Sequence, residues 1–252
     1  MNPSDRTPDI SRLNESCARC QLNRICLPRA LGPDAVEKLD GIIKHSGRFN
    51  RGSHLYRQGT ALHSLYIIKT GWVKNYLTTA DGTEQILGFY LPCDLLGLDG
   101  LEQKRHTSSS VALDLVSVCE LPYEDLDDLC RQLPLLDEEI KIQLCRELSH
   151  QHVLILLMAQ KKADERLAIF LLSLSFRLKA LRRNDADFDL PMSHAEIGNF
   201  LGMAPETVSR ILGRIEENGI IKMDGKRVQI MNLPQLCRIS PLCDNCSVEL
   251  AH

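Results

Sequence analysis

Hydrophobic positions fall into stretches of different period along the 252 residues. After a polar, irregular leader, Val36, Leu39, Ile42 and Ile43 recur at helical spacing, which predicts a helix over 33–46. From about 48 to 122 the pattern changes to short apolar runs, Leu65–Ile68, Trp72–Leu77, Ile86–Tyr90 and Val116–Leu121. Turn signals at Gly52, Gly59, Gly71, Asp81-Gly82 and Gly100 separate them. Many short strands at this spacing predict a β-sandwich or barrel, such as a double-stranded jelly roll. Between Glu124 and Arg183 there is one proline, Pro134, and no glycine. There Ile140, Leu144, Leu148, Ile155 and Met158 recur at steps of three, four or seven, which predicts a long amphipathic helix over 135–160 with a coiled-coil-like seam. The run Val153–Met158 is apolar nearly all round, and a helix that buries both sides lies between its own domain and a partner. Dimerisation through this seam is expected. Residues 184–189 read as an exposed loop.

The segment Ser193 to Ile230 carries the strongest local pattern. Ser193 with Glu196 three residues on forms a capping box, and Ile197 and Phe200 give the first helix an apolar face. Gly202 supplies a sharp turn, and Pro205 suits the first position of a second helix. In that helix Val208, Ile211, Leu212 and Ile215 can face a core, which leaves Glu206, Ser209, Arg210 and Arg214 outward. Arg210 could bond guanine O6 and N7, Glu206 could accept from cytosine N4, and Ser209 could touch a base edge. Ile220–Met223, Asp224-Gly225 and Lys226–Ile230 then predict a hairpin. A helix-turn-helix followed by a hairpin is a winged helix, whose Lys222, Lys226 and Arg227 suit phosphate contacts.

Composition sharpens this picture in one respect. The chain is 44% hydrophobic and 25% charged, ample for a core, and its net charge of −3 gives no global sign of nucleic acid. Only Lys161–Arg183 is locally basic, with seven basic residues against two acidic ones. No apolar run approaches a bilayer span, and the leader MNPSDRTPDISRLNES lacks the apolar centre of a secretion signal, which points to the cytoplasm. Ten cysteines are many for such a chain, and in a reducing compartment they suggest metal or redox chemistry. Cys17, Cys20 and Cys26 are close enough to wrap one centre, and thiolates suit zinc or iron–sulfur clusters. Three are one short of the usual four, and spacing alone leaves iron–sulfur, zinc and unligated thiols open. Cys237, Cys243 and Cys246 mirror this spacing without a clear role, whereas Cys93, Cys130 and Cys145 read as buried thiols.

These features together resemble the CRP/FNR family, specifically its oxygen-sensing FNR branch. The resemblance runs from about Cys17 to Ile230. It is carried by Glu84–Phe89, Val118–Pro122, Leu126–Leu129, Asp164–Ala168, Glu196–Gly202 and the recognition-helix pattern Glu206-Thr207-Val208-Ser209-Arg210. It implies an α+β chain with an N-terminal β-roll of the cyclic-nucleotide-binding type, a long dimerisation helix and a C-terminal winged helix-turn-helix. It also implies the fourth ligand, Cys119, so that Cys17, Cys20, Cys26 and Cys119 hold a [4Fe–4S] cluster. By the same resemblance the intact cluster favours a homodimer on a TTGAT-N4-ATCAA-like site, and oxygen disperses it. Glu206, Ser209, Arg210, Arg214 and Lys226 are the expected DNA contacts. The loop Thr78–Gln85 resembles a surface that meets RNA polymerase, which implies activation.

The implied organisation is a cluster-binding segment 1–30, a roll 31–134, a dimerisation helix 135–162 and a DNA-binding domain with its tail, 163–252. A cyclic nucleotide is not expected, because Thr107–Ala112 has no arginine immediately before its serines and Arg105 is out of register. The branch can carry an acidic residue on the dimer helix that opposes pairing, whereas here Glu147 is followed by an apolar stretch from Val153. The other reading on the same scaffold is a thiol- or zinc-based redox regulator. An enzyme is not expected: the chain has no phosphate-binding glycine loop, nucleophile elbow or HExxH motif. An iron–sulfur DNA glycosylase would need a cysteine upstream of Cys17, and there is none.

Overall fold

The computed structural model describes residues 16–181 and 183–239. Helix α1 (Pro33–Ile42) starts on Pro33, whose missing N–H costs nothing there. It ends four residues short of the expected 46. Ile43 turns extended, and β1 (Lys44–Phe49) pairs antiparallel with β8 (Val116–Pro122), so a long-range ladder overrides the local helical spacing. The other strands of the roll are β2 (His54–Tyr56), β3 (Ser64–Thr70), β4 (Val73–Thr78), β5 (Glu84–Tyr90), β6 (Leu95–Leu96) and β7 (Ser109–Ala112). They form two four-stranded sheets, ordered β1-β8-β3-β6 and β2-β7-β4-β5.

The first sheet has a core on each face. Alternation along a strand sends successive side chains to opposite sides. Ile68 and Val118 thus enter a cluster with Leu55, Val73, Leu96 and Val116. Their neighbours Ile67 and Cys119, which lie opposite each other in the ladder, face a second cluster. That cluster holds Leu39 of α1, Leu126 and Leu129 of α2 (Tyr123–Gln132), Leu136 of α3 (Pro134–Gln160), and Cys17 and Leu27 of the leading segment. Pro134 opens α3, which runs over the span expected from sequence.

Beyond it come α4 (Ala163–Ala180), β9 (Asp187–Asp189), α5 (His194–Leu201), α6 (Pro205–Glu217), β10 (Ile221–Asp224), β11 (Arg227–Ile230) and α7 (Leu233–Ile239). The expected loop 184–189 is in part a strand. Phe188 is buried and opposite Val228, so β9 joins the hairpin as the third strand of a sheet ordered β10-β11-β9. A single apolar residue among acids gave no local sign of this pairing. By internal contacts the chain divides into two compact units, residues up to 74 with 89–141, and 75–88 with 142 onward.

Candidate metal centre and nucleic-acid interface

The leading cysteines sit on a string of tight turns. Backbone amides of Cys20, Asn23 and Cys26 donate to the carbonyls of Ser16, Cys20 and Leu22 at 2.8–3.1 Å. Cys26 then opens a short 3-10 helix, Leu27–Ala30, whose Leu27 is anchored in the core. The segment is tethered to its unit by the burial of Cys17, Leu27 and Pro28, by the Cys17 amide donating to Asp40 Oδ1 at 2.7 Å, and by an ion pair from Arg29 Nε to Glu139 Oε2 at 3.1 Å. Glu139 is buried on the second turn of α3, so the ion pair joins the cysteine segment to the long helix.

Cys17, Cys20, Cys26 and Cys119 line one pocket together with Asn23, Ile67 and Lys69. The pocket is small, about 20 Å³, and partly open to solvent. Strand alternation aims Cys119 at it, a link between residues 26 and 119 that no local spacing could encode. All four cysteines are free thiols. Burial pushes the Cys17 thiol far up, helped by Cys119 and Asp40. Burial likewise pushes Cys119 up to about 12, against the pull of Lys69. Cys26 is raised chiefly by a hydrogen bond with the Cys93 thiol, then by burial. Metal ligation must therefore displace thiol protons. Among the described residues no three Cys, His, Asp or Glu side chains converge tightly enough to hold a single ion.

Of the three cysteines read as buried, Cys93 and Cys130 are partly buried and Cys145 is exposed on α3. The apolar sequence around Cys145 belongs to a helix surface that its own chain leaves uncovered. Cys237 lies on α7, while Cys243 and Cys246 fall outside the described residues.

In the second unit the capping box forms as expected. The Glu196 amide donates to Ser193 Oγ at 3.2 Å, and the Ser193 amide to Glu196 Oε2 at 2.8 Å. Gly202 ends α5 in the left-handed conformation, φ 63°. Gly198 is needed for close approach, since a Cβ there would sit 2.5 Å from the Met203 carbonyl oxygen. Helix α6 buries Val208, Ile211, Leu212 and Ile215 and exposes Glu206, Ser209, Arg210 and Arg214. Arg214 is paired at 2.5 Å with Asp164. The hairpin turns on Gly225-Lys226, one residue later than the expected Asp224-Gly225, because Asp224 already pairs with Arg227. Lys226 Nζ donates to the Pro191 carbonyl at 2.8 Å, and Arg227 is held bidentate by Asp187 at 2.6 and 2.7 Å. A phosphate must compete with those partners, whereas Lys222 is exposed.

The expected seam divides. Leu144, Leu148 and Ile155 are 38%, 57% and 64% exposed and follow helical spacing along α3. Ile140 packs into the first unit's core, and the Met158 sulfur lies 3.8 Å from Arg166 Nη1.

Three features escaped the sequence reading. One is the Arg29–Glu139 pair. The second is Asn199, quoted only as part of a motif: its Oδ1 accepts from the Ile86 amide at 2.6 Å and its Nδ2 donates to the Glu84 carbonyl at 2.8 Å. The third is Asp99, whose Oδ2 accepts from the amides of Thr107 and Ser108 at 2.9 and 2.8 Å and from Ser108 Oγ at 2.9 Å. Burial would raise the Asp99 carboxyl, but hydrogen bonds from His106 and Ser108 outweigh it and hold the carboxyl below its usual value.

Residues 165–239 match the family model of the Crp-like helix-turn-helix domain, and residues 47–133 match that of the cyclic nucleotide-binding domain. The chain is 41% identical to the transcriptional activator protein Anr of Pseudomonas protegens, over 89% of this chain and 92% of that protein. It is 38% identical to the fumarate and nitrate reduction regulatory protein of Vibrio cholerae, over 89% and 90%. Among solved structures, FixK2 from Bradyrhizobium japonicum superposes with a TM-score of 0.71 at 28% identity, over 77% of this chain and 96% of that one. No helix among the described residues is long and apolar enough to cross a membrane.

Proposed function

The chain belongs to the CRP/FNR family of transcription regulators, and on that premise we propose an oxygen-responsive regulator that binds DNA as a dimer while a [4Fe–4S] cluster is held by Cys17, Cys20, Cys26 and Cys119. The observation that carries this reading is the convergence of those four thiols on one pocket, three from the leading segment and one from β8. Four soft thiol donors around one pocket suit an iron–sulfur core. When bound, the cluster supplies an oxygen-labile bridge between the leading segment and the roll.

The residues around it account for the response. Without thiolate ligation, Ser16–Ala30 is held by the packing of Cys17, Leu27 and Pro28, the Asp40 hydrogen bond and the Arg29–Glu139 pair. That pair carries any displacement of the segment to the start of α3. Further along α3, Leu144, Leu148 and Ile155 form the surface for a second copy. Ligation shifts the population towards the dimer only insofar as it stabilises the pairing-competent α3 more than the alternative.

Two copies related by a two-fold axis present two α6 helices to half-sites one helical turn apart, which suits a TTGAT-N4-ATCAA-like operator. Glu206, Ser209 and Arg210 read bases, with Arg214, Lys222 and Lys226 near the backbone. The exposed turn around Asp81-Gly82 is offered to RNA polymerase. Asp99 argues against a cyclic nucleotide, because its carboxylate already occupies the amides of Thr107 and Ser108 and would repel a phosphate.

The test is oxygen-free purification of wild type and Cys119→Ala, with iron, acid-labile sulfide, the visible spectrum and operator binding measured before and after air. Wild type should hold iron and sulfide and lose operator binding in air, while Cys119→Ala should lack the cluster. Zinc in a colourless protein would establish the thiol or zinc regulator instead. A Cys119→Ala variant that keeps both cluster and air-sensitive binding removes Cys119 from the ligand set.

A further inference from the structure

Arg166 lies on the first turn of α4, and its guanidinium is turned to backbone carbonyls outside that helix. Nε donates to the Lys161 carbonyl at 2.9 Å and Nη2 to the Met158 carbonyl at 3.2 Å. Nη1 donates to the carbonyls of Leu201 and Gly202 at 3.0 and 3.5 Å. These acceptors lie at the C-terminal ends of α3 and α5, where the last carbonyls of a helix lack partners within it. The Met158 carbonyl is free for this because the Lys162 amide, which would continue α3, donates to Glu165 Oε2 at 2.7 Å. The fork packs against Gly202, where a Cβ would lie 3.4 Å from Arg166 Nη1 and from the Met158 sulfur. A planar group with five donors can serve several carbonyls at once, and its charge suits the negative ends of two helices. A lysine ammonium, a single point of charge, cannot reproduce that fork.

We infer that Arg166 is a positioning residue for operator reading: it fixes the end of α3 against the turn between α5 and α6, and so sets where α6 stands relative to the pairing helix. This rests on the reading of α3 as the pairing helix and α6 as the DNA reader. Two recognition helices must meet half-sites at one separation. The second half-site adds affinity only when the geometry lets both be engaged at once. The joint between α3 and α4 is extended at Lys162, ψ 161°, so it carries no helical hydrogen-bond ladder of its own. Other contacts hold the rest of the domain. Phe170 of α4 meets Phe200 of α5 with ring centroids 5.9 Å apart, and Asp164 pairs with Arg214 of α6 at 2.5 Å. Replacing Arg166 therefore leaves α4, α5 and α6 together. It leaves α3 held on α4 by apolar packing of Leu157 on Ile169. Such packing is non-directional, whereas hydrogen bonds to fixed carbonyls define an angle. The Arg166 donors go to α3, α5 and the joint, so the residue acts on DNA through geometry alone.

The test compares wild type with Arg166→Lys and Arg166→Gln, all purified without oxygen. Binding is measured on TTGAT-N4-ATCAA, on the same half-sites with shorter and longer spacers, and on a duplex with one half-site. Wild type should prefer the N4 spacing. Both variants should lose about tenfold or more of that preference, with single half-site affinity within about twofold of wild type. Spin labels at Gln143 on α3 and Glu217 on α6, attached without cysteine chemistry and diluted with unlabelled protein, read the angle by pulsed electron resonance. The variants should show a broader or shifted distance distribution. Equal loss on the half-site and the full operator overturns the inference, because it marks an ordinary stability role. Unfolding of both variants by circular dichroism overturns it in the same way. So does a spacing preference, or a distance distribution, that both variants leave unchanged. Failure of wild type to bind any spacing would sink the operator reading alone, since the spin-label distances still decide whether Arg166 holds α3.

Discussion

Removing the Arg29 guanidinium should destabilise the first unit through a residue more than a hundred positions away. Glu139 is 5% exposed, and Arg29 Nε meets its carboxylate at 3.1 Å. Breaking a buried pair by deleting one partner typically costs about 3–5 kcal/mol, because the other charge is left without compensation. Here two observations lower the figure. The contact is a single one at 3.1 Å and not a bidentate fork, and the Arg29 side chain is 29% exposed, so water already shares its charge. Arg29→Ala should therefore cost about 2 kcal/mol, roughly 30-fold in the folding equilibrium. Replacing both partners with apolar residues of similar size, Arg29→Met with Glu139→Leu, should fall within about 1 kcal/mol of wild type, since no charge is stranded. The assay is urea unfolding of the metal-stripped protein under reductant, followed by a probe within the first unit. A cost below about 0.5 kcal/mol for Arg29→Ala, the range of an ordinary surface substitution, would refute the reasoning. So would a double variant as unstable as the single one.

Leu148→Glu and Ile155→Glu place charge on the exposed stripe of α3. Each should raise the dimer dissociation constant of iron-loaded protein at least tenfold, since burying such a side chain is worth about 1.5–3 kcal/mol. Sedimentation under oxygen-free conditions reads this, and an unchanged dimer would move the interface elsewhere. Arg210→Ala should cost about 1–3 kcal/mol on the operator and relax selection at one base pair. Equal weakening on all sequences, measured by competition binding, would make Arg210 a phosphate contact. Asp99 has a lowered carboxyl pKa when folded, so its contribution is complete above the unfolded value near 3.8 and fades as pH falls through the folded value. Asp99→Asn should accordingly lose less of its urea midpoint than wild type between about pH 5 and pH 3. Parallel acid limbs would mean that Asp99 does not stabilise the 107–108 turn through its charge.

The parts that could be read from residues alone are those whose causes lie within a few positions of each other. The Ser193–Glu196 capping box, the turn at Gly202, the start of α6 at Pro205 and the length of α3 all formed where expected. Each depends on hydrogen bonds or side-chain spacing inside one or two helical turns. The four-residue overshoot of α1 and the missed strand β9 have the opposite origin. There the ladder partners, β8 and β11, lie some forty or more positions downstream and outweigh the local pattern.

Period and capping were thus enough to determine a strand-rich domain, a long helix and a winged reader with Glu206, Ser209 and Arg210 facing outward. Only the tertiary structure decided which groups meet. Cys119 joins Cys17, Cys20 and Cys26 because β8 alternates its side chains across a sheet, and Lys226 and Arg227 acquire partners because β11 lies beside β9. The closeness of Arg29 to Glu139 has the same source. Contacts between distant positions depend on strand register and packing, and these emerge only when the whole chain has buried its apolar faces.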